Sequence, residues 1–519
     1  MVPGNPLTSI DIYNTSLCEG ILPQSWKDAH VCAVFKKGDP SCVSNYRPIS
    51  LLSNLDKVLE RLVFKHMFNH LRDINFLSSF QSGFIPGDSA VNQLTFIYNS
   101  FCKALDGGKE IRAIFFDISK AFDRVWHAGL LVKLKAAGIP ARLSLWLGNY
   151  LDGRRQCVVT PGAKSTWLPI KAGVPQGSIL GPLLFLIYIN DIVTDIHSNI
   201  RLFADDTSLY LIVEHADIAA YTLNSDIIKI TNWAKSWLVS FNPTKTESLL
   251  VSRKINKPIH PPLQMLNEQI VEVQAHRHLG IYLSNDGSWH PHIDHIKAKA
   301  WERINIMRKL KYVLDRKSLE TIYLSFIRPL LEYSDVIWDN CTNNEKHDLD
   351  KIQYEAARIA TGATKLVSIV NLENEIGWEP LESRRRKHKL TLFYKMIHKE
   401  TPEYISNLVP PLVGNRNNYS LRNEHNLQSV HARTKLYSES FLPSVVREWN
   451  DLSLEIRNST SLPSFKTAIG RHDTHSIPIY YYTGYRKAQI LHTRLRTNCS
   501  CLNLTLFQKN IVDSPLCLS

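Results

Sequence analysis

The feature that most constrains this chain is an apolar hairpin with two acids at its turn. Leu202-Phe203-Ala204 and Ser208-Leu209-Tyr210-Leu211-Ile212-Val213 read as two strands joined through Asp205-Asp206-Thr207. A further run, Ile111-Arg112-Ala113-Ile114-Phe115-Phe116, reads as a buried strand that delivers Asp117 at its C-terminal end. Adjacent carboxylates repel each other unless solvent or a cation relieves them. An acidic turn by itself is commonplace, and a lone strand-end aspartate often simply caps the next helix. A sheet that sets the hairpin beside the Asp117 strand changes this, because three hard oxygen donors then converge at its middle. Mg²⁺ takes octahedral oxygen ligation, usually a few carboxylates plus substrate phosphates. In a site with two ions about 3.5–4 Å apart, one activates an attacking hydroxyl and the other steadies a leaving pyrophosphate, so the pattern predicts nucleotidyl transfer.

The segments around these acids read as a mixed α+β body. A helix ending near Leu22-Pro23 precedes a strand over Ala29–Phe35, and Lys36-Lys37-Gly38-Asp39 turns it toward Asn45-Tyr46-Arg47-Pro48-Ile49-Ser50. The tip and flanks of that hairpin carry positive charge that can reach a phosphate. Leu55, Val58, Leu59, Leu62 and Val63 recur at helical spacing behind a Ser53 or Asn54 cap. Trp126, Leu130, Leu131 and Leu134 share another helical face, which Gly138 and Pro140 terminate. Beyond about Asn285 the character changes. Ile293, Ile296, Ala300, Ile304, Met307 and Leu310 mark a long amphipathic helix, with further helical segments near 318–331 and 345–361. From about 366 the chain is basic and less periodic, with the run Arg384-Arg385-Arg386-Lys387-His388-Lys389.

A chain of 519 residues exceeds one ordinary core and predicts two to four domains or subdomains. Lys and Arg outnumber Asp and Glu by 61 to 48, which favours a polyanionic partner such as nucleic acid. The nine cysteines are scattered and no signal-peptide pattern stands at the start, so a reducing, intracellular setting in cytoplasm or nucleus is expected, without secretion. The longest apolar run, Ile179–Ile189, contains Gly181 and Pro182 and is too short to cross a bilayer, so no membrane segment is expected.

Phe115-Phe116-Asp117-Ile118-Ser119-Lys120-Ala121-Phe122-Asp123, Ala172-Gly173-Val174-Pro175-Gln176-Gly177-Ser178-Ile179-Leu180-Gly181-Pro182 and Phe203-Ala204-Asp205-Asp206 follow one another in the order of the palm motifs of reverse transcriptases. Over roughly residues 15 to 365 the chain resembles those of non-LTR, LINE-like retrotransposons of the jockey and CR1 type. The resemblance implies a right-hand polymerase with fingers, a palm on an antiparallel sheet and a helical thumb, plus a basic, mostly helical C-terminal extension. Fingers and palm would occupy 15–284, the thumb 285–365 and the extension 366–519. Asp117, Asp205 and Asp206 would hold two Mg²⁺ ions, for which Mn²⁺ is a possible substitute, with the Ile118 carbonyl assisting. Phe122 would lie under the sugar and exclude a 2′-hydroxyl; taken alone it reads as a core aromatic. Gln176 and Gly177 would contact the incoming nucleotide or template.

Asn242-Pro243-Thr244-Lys245-Thr246 is similar to the next family motif, which makes Lys245 the candidate general acid for the departing pyrophosphate. Arg277-His278-Leu279-Gly280-Ile281 resembles the primer grip, carried by His278, Leu279 and Gly280. Lys36, Lys37 and Arg47 fall where fingers hold the triphosphate. Gln81-Ser82-Gly83-Phe84 with Gly87 matches a segment lining the template path, and thumb cations would touch backbone rather than bases. The implied reaction copies an RNA template from a DNA primer using dNTPs; no protein partner is specified. The alternative is a truncated, transposition-incompetent remnant that only binds nucleic acid. A viral RNA-dependent RNA polymerase shares the palm, but Phe122 and the Phe-Ala-Asp-Asp signature argue against it.

Related elements usually carry an apurinic-type endonuclease before the polymerase, whereas this sequence starts almost at the fingers, so target nicking is not expected of it. Cys499-Ser500-Cys501 with His492 and Cys517 lacks a C-x₂-C pair, and unpaired cysteines are expected there rather than a zinc site. His290, His292 and His295 straddle a helix start, where solvated or capping roles are expected.

Overall fold

The apolar run that ends at Asp117 lies at the centre of a sheet. The computed structural model describes residues 8–256, 258–416, 424–470 and 477–497. The chain divides into two units. The first is formed by Met1–Ala90, Ile111–Leu250 and Ile255–Val273, the second by Val91–Glu110, Val251–Lys254 and Gln274–Ser519.

In chain order, the first unit is built on β1 (Asp28–Phe35), β2 (Tyr46–Leu51), β3 (Glu110–Phe116), β4 (Arg155–Thr160), β5 (Ala163–Lys164), β6 (Leu168–Pro169), β7 (Asn199–Phe203), β8 (Asp206–Val213), β9 (Glu247–Val251), β10 (Gln264–Met265), β11 (Glu268–Gln269) and β12 (Val271–Glu272). One sheet has the order β12-β9-β3-β8-β7. Every residue of β3 is buried, as an apolar run at the middle of a sheet should be. β7 and β8 form the expected antiparallel hairpin, while β12 runs parallel to β9 at the edge. The other sheet joins β2, β1, β4 and β5, with β6 also on β4. Here β1 pairs antiparallel with β2, which sets Val34 opposite Arg47, and the basic turn expected from the sequence links them.

Helix 54–73 forms where expected, but of the apolar set read from the sequence it buries only Leu59 and Val63. Leu59, Val63, Met67 and Leu71 face the core at i, i+4 spacing, whereas Leu55, Val58 and Leu62 remain about half exposed. The helix carries two apolar stripes, and the one that continues through four turns wins because each further buried side chain adds about 1.5–3 kcal/mol. Helix Leu180–Ile189 is buried on nearly all sides, which accounts for its continuous apolar sequence. No helix among the described residues is long and apolar enough to cross a membrane.

In the second unit, helix His290–Leu310 buries Ile293, Ile296, Ala300, Ile304 and Met307, the stripe read from the sequence except for Leu310, which is only partly covered. Helix Asn343–Thr361 starts in a capping box, Thr342 with Glu345, and stops at Gly362 in the left-handed conformation. Past residue 366 the described segments are built mainly of helices, among them Leu381–Ile397, Phe441–Asn450 and Arg486–Arg496. The basic run 384–389 lies in helix Leu381–Ile397, and each of its members has an acidic partner. Arg384 pairs with Glu332, Arg385 with Asp339 at 3.0 Å, Arg386 with Glu448 at 3.5 Å, and Lys387 with Glu379 at 2.5 Å. His388 meets Asp335 at 2.6 Å, and Lys389 bridges Asp339 at 2.8 Å and Glu448 at 2.6 Å.

Of the three histidines near this helix start, His292 departs most from expectation. His292 is buried beside Trp289 and Trp338, and burial pushes its pKa down to about 3. His290 pairs with Glu345 at 2.7 Å and His295 lies on Tyr282, so only the first resembles a surface role.

Candidate functional site

The hairpin turn is tighter than the sequence suggested. Phe203 pairs with Asp206, so the turn is Ala204-Asp205 and Asp206 already belongs to β8. Thr207, expected in the turn, pairs with Leu202 and is buried. A two-residue turn fits the right-handed twist of its strands but needs positive φ, and Ala204 adopts +56°.

This turn, in the first unit, brings Asp205 and Asp206 into the electrostatic field of Asp117. Burial pushes the Asp205 carboxyl above its ordinary value. Asp117 adds repulsion, while the residue's own backbone N–H, Arg47 and Lys36 give partial relief. Asp206 is pushed up to about 6 by burial, then by Asp205 and Asp117. Its side is nevertheless open to solvent, which screens part of that repulsion. No three His, Cys, Asp or Glu side chains among the described residues are gathered into a metal-binding group, so the three aspartates influence one another without converging on a point. The donor set is what a hard divalent cation requires: carboxylate oxygens whose mutual repulsion such an ion would remove.

Asp117 is held through its backbone by the segment that carries Lys245. The Asn242 N–H donates to the Asp117 carbonyl at 2.9 Å, and the Ser119 N–H donates to the Ser240 carbonyl at 2.8 Å. These bonds flank an antiparallel bridge between Ile118 and Phe241. In such a bridge the central residue's own N–H and C=O point the other way, so the Ile118 carbonyl faces away from Phe241. Asn242 caps the short turn Pro243–Lys245, where the Lys245 side chain is exposed. Lys36, Lys37 and Arg47 are exposed on the β1–β2 hairpin, and of these the charges of Arg47 and Lys36 favour the ionised Asp205 carboxylate.

Phe122 is half-buried, stacked on Phe185 with centroids 4.7 Å apart and edge-on to Phe84. Its ring is thereby fixed, so the packing and the sugar-side reading are compatible. Gln176 does not project freely: its side-chain N–H donates to Asp123 at 2.8 Å, and its carbonyl accepts from the Ser50 N–H at 2.7 Å. Gly177 sits at φ +122°, and a Cβ there would lie 2.5 Å from the Ser50 carbonyl oxygen. Its lack of side chain is demanded by protein backbone.

Sequence reasoning missed Glu60. This fully buried carboxylate accepts the Ile179 and Leu180 N–H groups at 2.5 and 2.9 Å, and the Tyr150 hydroxyl at 3.2 Å. It caps the helix that follows the Gln176-Gly177 loop, where free N–H groups favour an anion. Asp56, one turn earlier, is pushed up to about 8 by burial and by Glu60. An acid beside Leu59, on the face that also holds Val63, was the available sequence signal.

In the second unit, β13 (Ala275–His278) and β14 (Ile281–Ser284) form a hairpin with Leu279-Gly280 as its turn. The Tyr333 hydroxyl donates to the Leu279 carbonyl at 2.7 Å. His278 is buried and burial lowers its pKa to about 3. Cys499, Cys501 and Cys517 lie outside the described residues.

Residues 34–283 match the protein family described as reverse transcriptase (RNA-dependent DNA polymerase). The chain is 29% identical to "Probable RNA-directed DNA polymerase from transposon BS" of Drosophila melanogaster, over 73% of this chain and 43% of that protein. It is also 29% identical to the RNA-directed DNA polymerase from mobile element jockey of the same organism, over 70% of this chain and 41% of that protein. It thus spans about two-fifths of the length of these curated relatives. Among solved structures, telomerase from Candida tropicalis in complex with a TWJ fragment of telomeric RNA aligns with a TM-score of 0.41 at 9% identity, covering 91% of this chain and 67% of that one.

Proposed function

We propose that this chain, which carries a reverse transcriptase domain over residues 34–283, is an RNA-directed DNA polymerase of the non-LTR retrotransposon type. The observation that carries the reading is the acidic corner. Asp205 and Asp206 both have raised pKa values, each through burial and the neighbouring acids. Asp117, Asp205 and Asp206, with the Ile118 carbonyl, would hold two Mg²⁺ ions, or Mn²⁺ in their place. When bound, the ions would lower the pKa of a primer 3′-hydroxyl and stabilise the pyrophosphate leaving group.

The protein groups have separate tasks in this reading. Arg47, Lys36 and Lys37 grip the triphosphate of a dNTP. Phe122, fixed by Phe185 and Phe84, closes the space a 2′-hydroxyl would need. Gln176 and Gly177 border the nascent base pair, and the turn Leu279-Gly280, with His278 buried at its base, holds the primer end. The primer 3′-oxygen, its proton passing to solvent, bonds to the α-phosphorus as the bond from that phosphorus to the leaving oxygen breaks, and Lys245 gives a proton to the departing pyrophosphate. The partners are an RNA template and a DNA primer, recognised by shape and phosphate, in an intracellular compartment, cytoplasm or nucleus.

Primer extension on poly(rA)/oligo(dT) with Mg²⁺ and dTTP tests this. Extension is expected, with a loss of at least about a thousand-fold in the Asp205→Ala plus Asp206→Ala protein, the scale of metal-ion catalysis. A folded wild-type protein that binds the hybrid and extends nothing would overturn the reading.

A further inference from the structure

The Ala204-Asp205 turn is an unusual place for alanine. Two-residue hairpin turns with positive φ normally use Asn, Asp or Gly, because a Cβ crowds the backbone there. Ala204 nevertheless sits at φ +56°, so something outside the hairpin must hold it.

That support comes from residues 80–83. The Leu202 N–H donates to the Phe80 carbonyl and the Ser82 N–H to the Leu202 carbonyl, both at 2.9 Å, which lays this segment parallel to β7. Gln81, 6% exposed, then turns its side-chain oxygen onto the hairpin end. Its Oε1 accepts the Ala204 N–H at 2.9 Å and the Gly83 N–H at 2.8 Å. Gly83 is pressed against the same turn: a Cβ there would lie 2.2 Å from the Ala204 nitrogen and 2.7 Å from the Phe203 carbonyl carbon. Two independent features, an acceptor and a missing side chain, are therefore fitted to one peptide unit.

We propose that Gln81 is a positioning residue, which fixes the Ala204-Asp205 turn and so the direction in which Asp205 and Asp206 present their carboxylates to metal. This rests on the polymerase reading above for its functional consequence. The residue type is informative. A glutamate could accept the same two N–H groups, and it would have no side-chain N–H to leave without a partner, as the Gln81 Nε2 is here. The amide differs in adding no further negative charge beside a corner where carboxylates already repel. The segment's expected place along a template path is thereby replaced, for Gln81, by an inward role; Phe84 beside it is half exposed and remains free to border a nucleic acid.

The test uses the full chain with Gln81→Met, which keeps the length and removes the acceptor, and Gln81→Glu, which keeps the acceptor. Amide hydrogen exchange of the peptide spanning Ala204 is followed without metal or nucleic acid. Mn²⁺ binding is followed by the free-ion EPR signal, and kcat, KM for dTTP and hybrid affinity by primer extension and titration. For Gln81→Met we expect faster exchange at the turn, several-fold weaker Mn²⁺ binding and a kcat lower by about 10- to 100-fold, the scale for misplaced reacting groups. Hybrid affinity is expected to stay within about twofold, and Gln81→Glu to restore the exchange protection. Unchanged exchange at Ala204 in Gln81→Met overturns the proposal whatever the activity. Lost hybrid affinity with unchanged Mn²⁺ binding overturns it in favour of a template contact. If the wild type binds Mn²⁺ no better than Asp205→Ala plus Asp206→Ala, the polymerase reading has failed instead, and the exchange data alone judge the role of Gln81.

Discussion

Asp206 in the first unit and Asp339 in the second begin from the same handicap, since burial is the largest influence on each and disfavours the charged form. They end on opposite sides of the ordinary value. Around Asp339, Lys389 and Lys346, with Arg385, outweigh burial and hold the carboxyl low. Around Asp206 the strongest neighbours are Asp205 and Asp117, and the carboxyl is pushed up to about 6. The difference separates two uses of charge. A buried ion whose neighbours complete it belongs to the architecture, whereas a group of like charges waits for a partner from outside. By this criterion the six-residue basic run 384–389, which from composition alone suggests a nucleic-acid contact, is an internal hub, and the less conspicuous acidic corner is the element we propose for function.

Substitutions on the two sides should therefore behave oppositely. The largest effect is expected at the acidic corner, where Asp205→Asn plus Asp206→Asn removes primer extension by at least about a thousand-fold. The metal-free melting temperature of that protein should hold or rise, because repulsion is removed along with function. A clear fall in melting temperature would mean the acids are structural and the comparison is wrong. Asp339→Ala should do the reverse. It strands the buried Arg385 and leaves the buried Lys389 with Glu448 alone, and is expected to cost about 3–5 kcal/mol in denaturant unfolding, the range for breaking one partner of a buried pair.

Acidity sharpens the contrast further. The raised Asp206 value means that its folded form holds a proton longer than the unfolded chain does. Its contribution to stability is full below the unfolded value near 4 and is lost as pH rises through about 6. The lowered Asp339 value acts in the other sense: its contribution is full above the unfolded value and is lost as pH falls through the folded one. Melting curves from pH 3 to 8 without metal should show both trends, Asp206→Asn flattening the upper one and Asp339→Asn the lower. Mg²⁺ should suppress the loss near pH 6; if it does not, the acidic corner does not take the ion. The smallest effect is expected at Arg386, half exposed and 3.5 Å from Glu448. Arg386→Ala should change stability by less than about 1 kcal/mol, as exposed pairs do.

Much of the framework was legible because it rests on short-range periodicity. The buried β3 run, the β7–β8 hairpin and the stripe Ile293, Ile296, Ala300, Ile304, Met307 each declare themselves within one element. Helix 54–73 shows where this stops: two stripes satisfy the same period, and only packing selects Leu59 and Val63 over Leu55 and Leu62. The start of β8 was misjudged by two residues for a similar reason, since pairing across the hairpin, and not the run of acids, decides where β8 begins.

The sequence by itself determined which residue types stand at the ends of which strands, and with them the candidate chemistry of Asp117, Asp205 and Asp206. Only the tertiary structure decided what surrounds each polar group. Gln81 reaches Ala204 across 123 residues, Glu60 reaches Ile179 across 119, and Arg385 meets Asp339 from 46 away. Such partners share no local period. Whether a charge is completed or left open depends on desolvation and on neighbours that folding alone brings within a few ångströms.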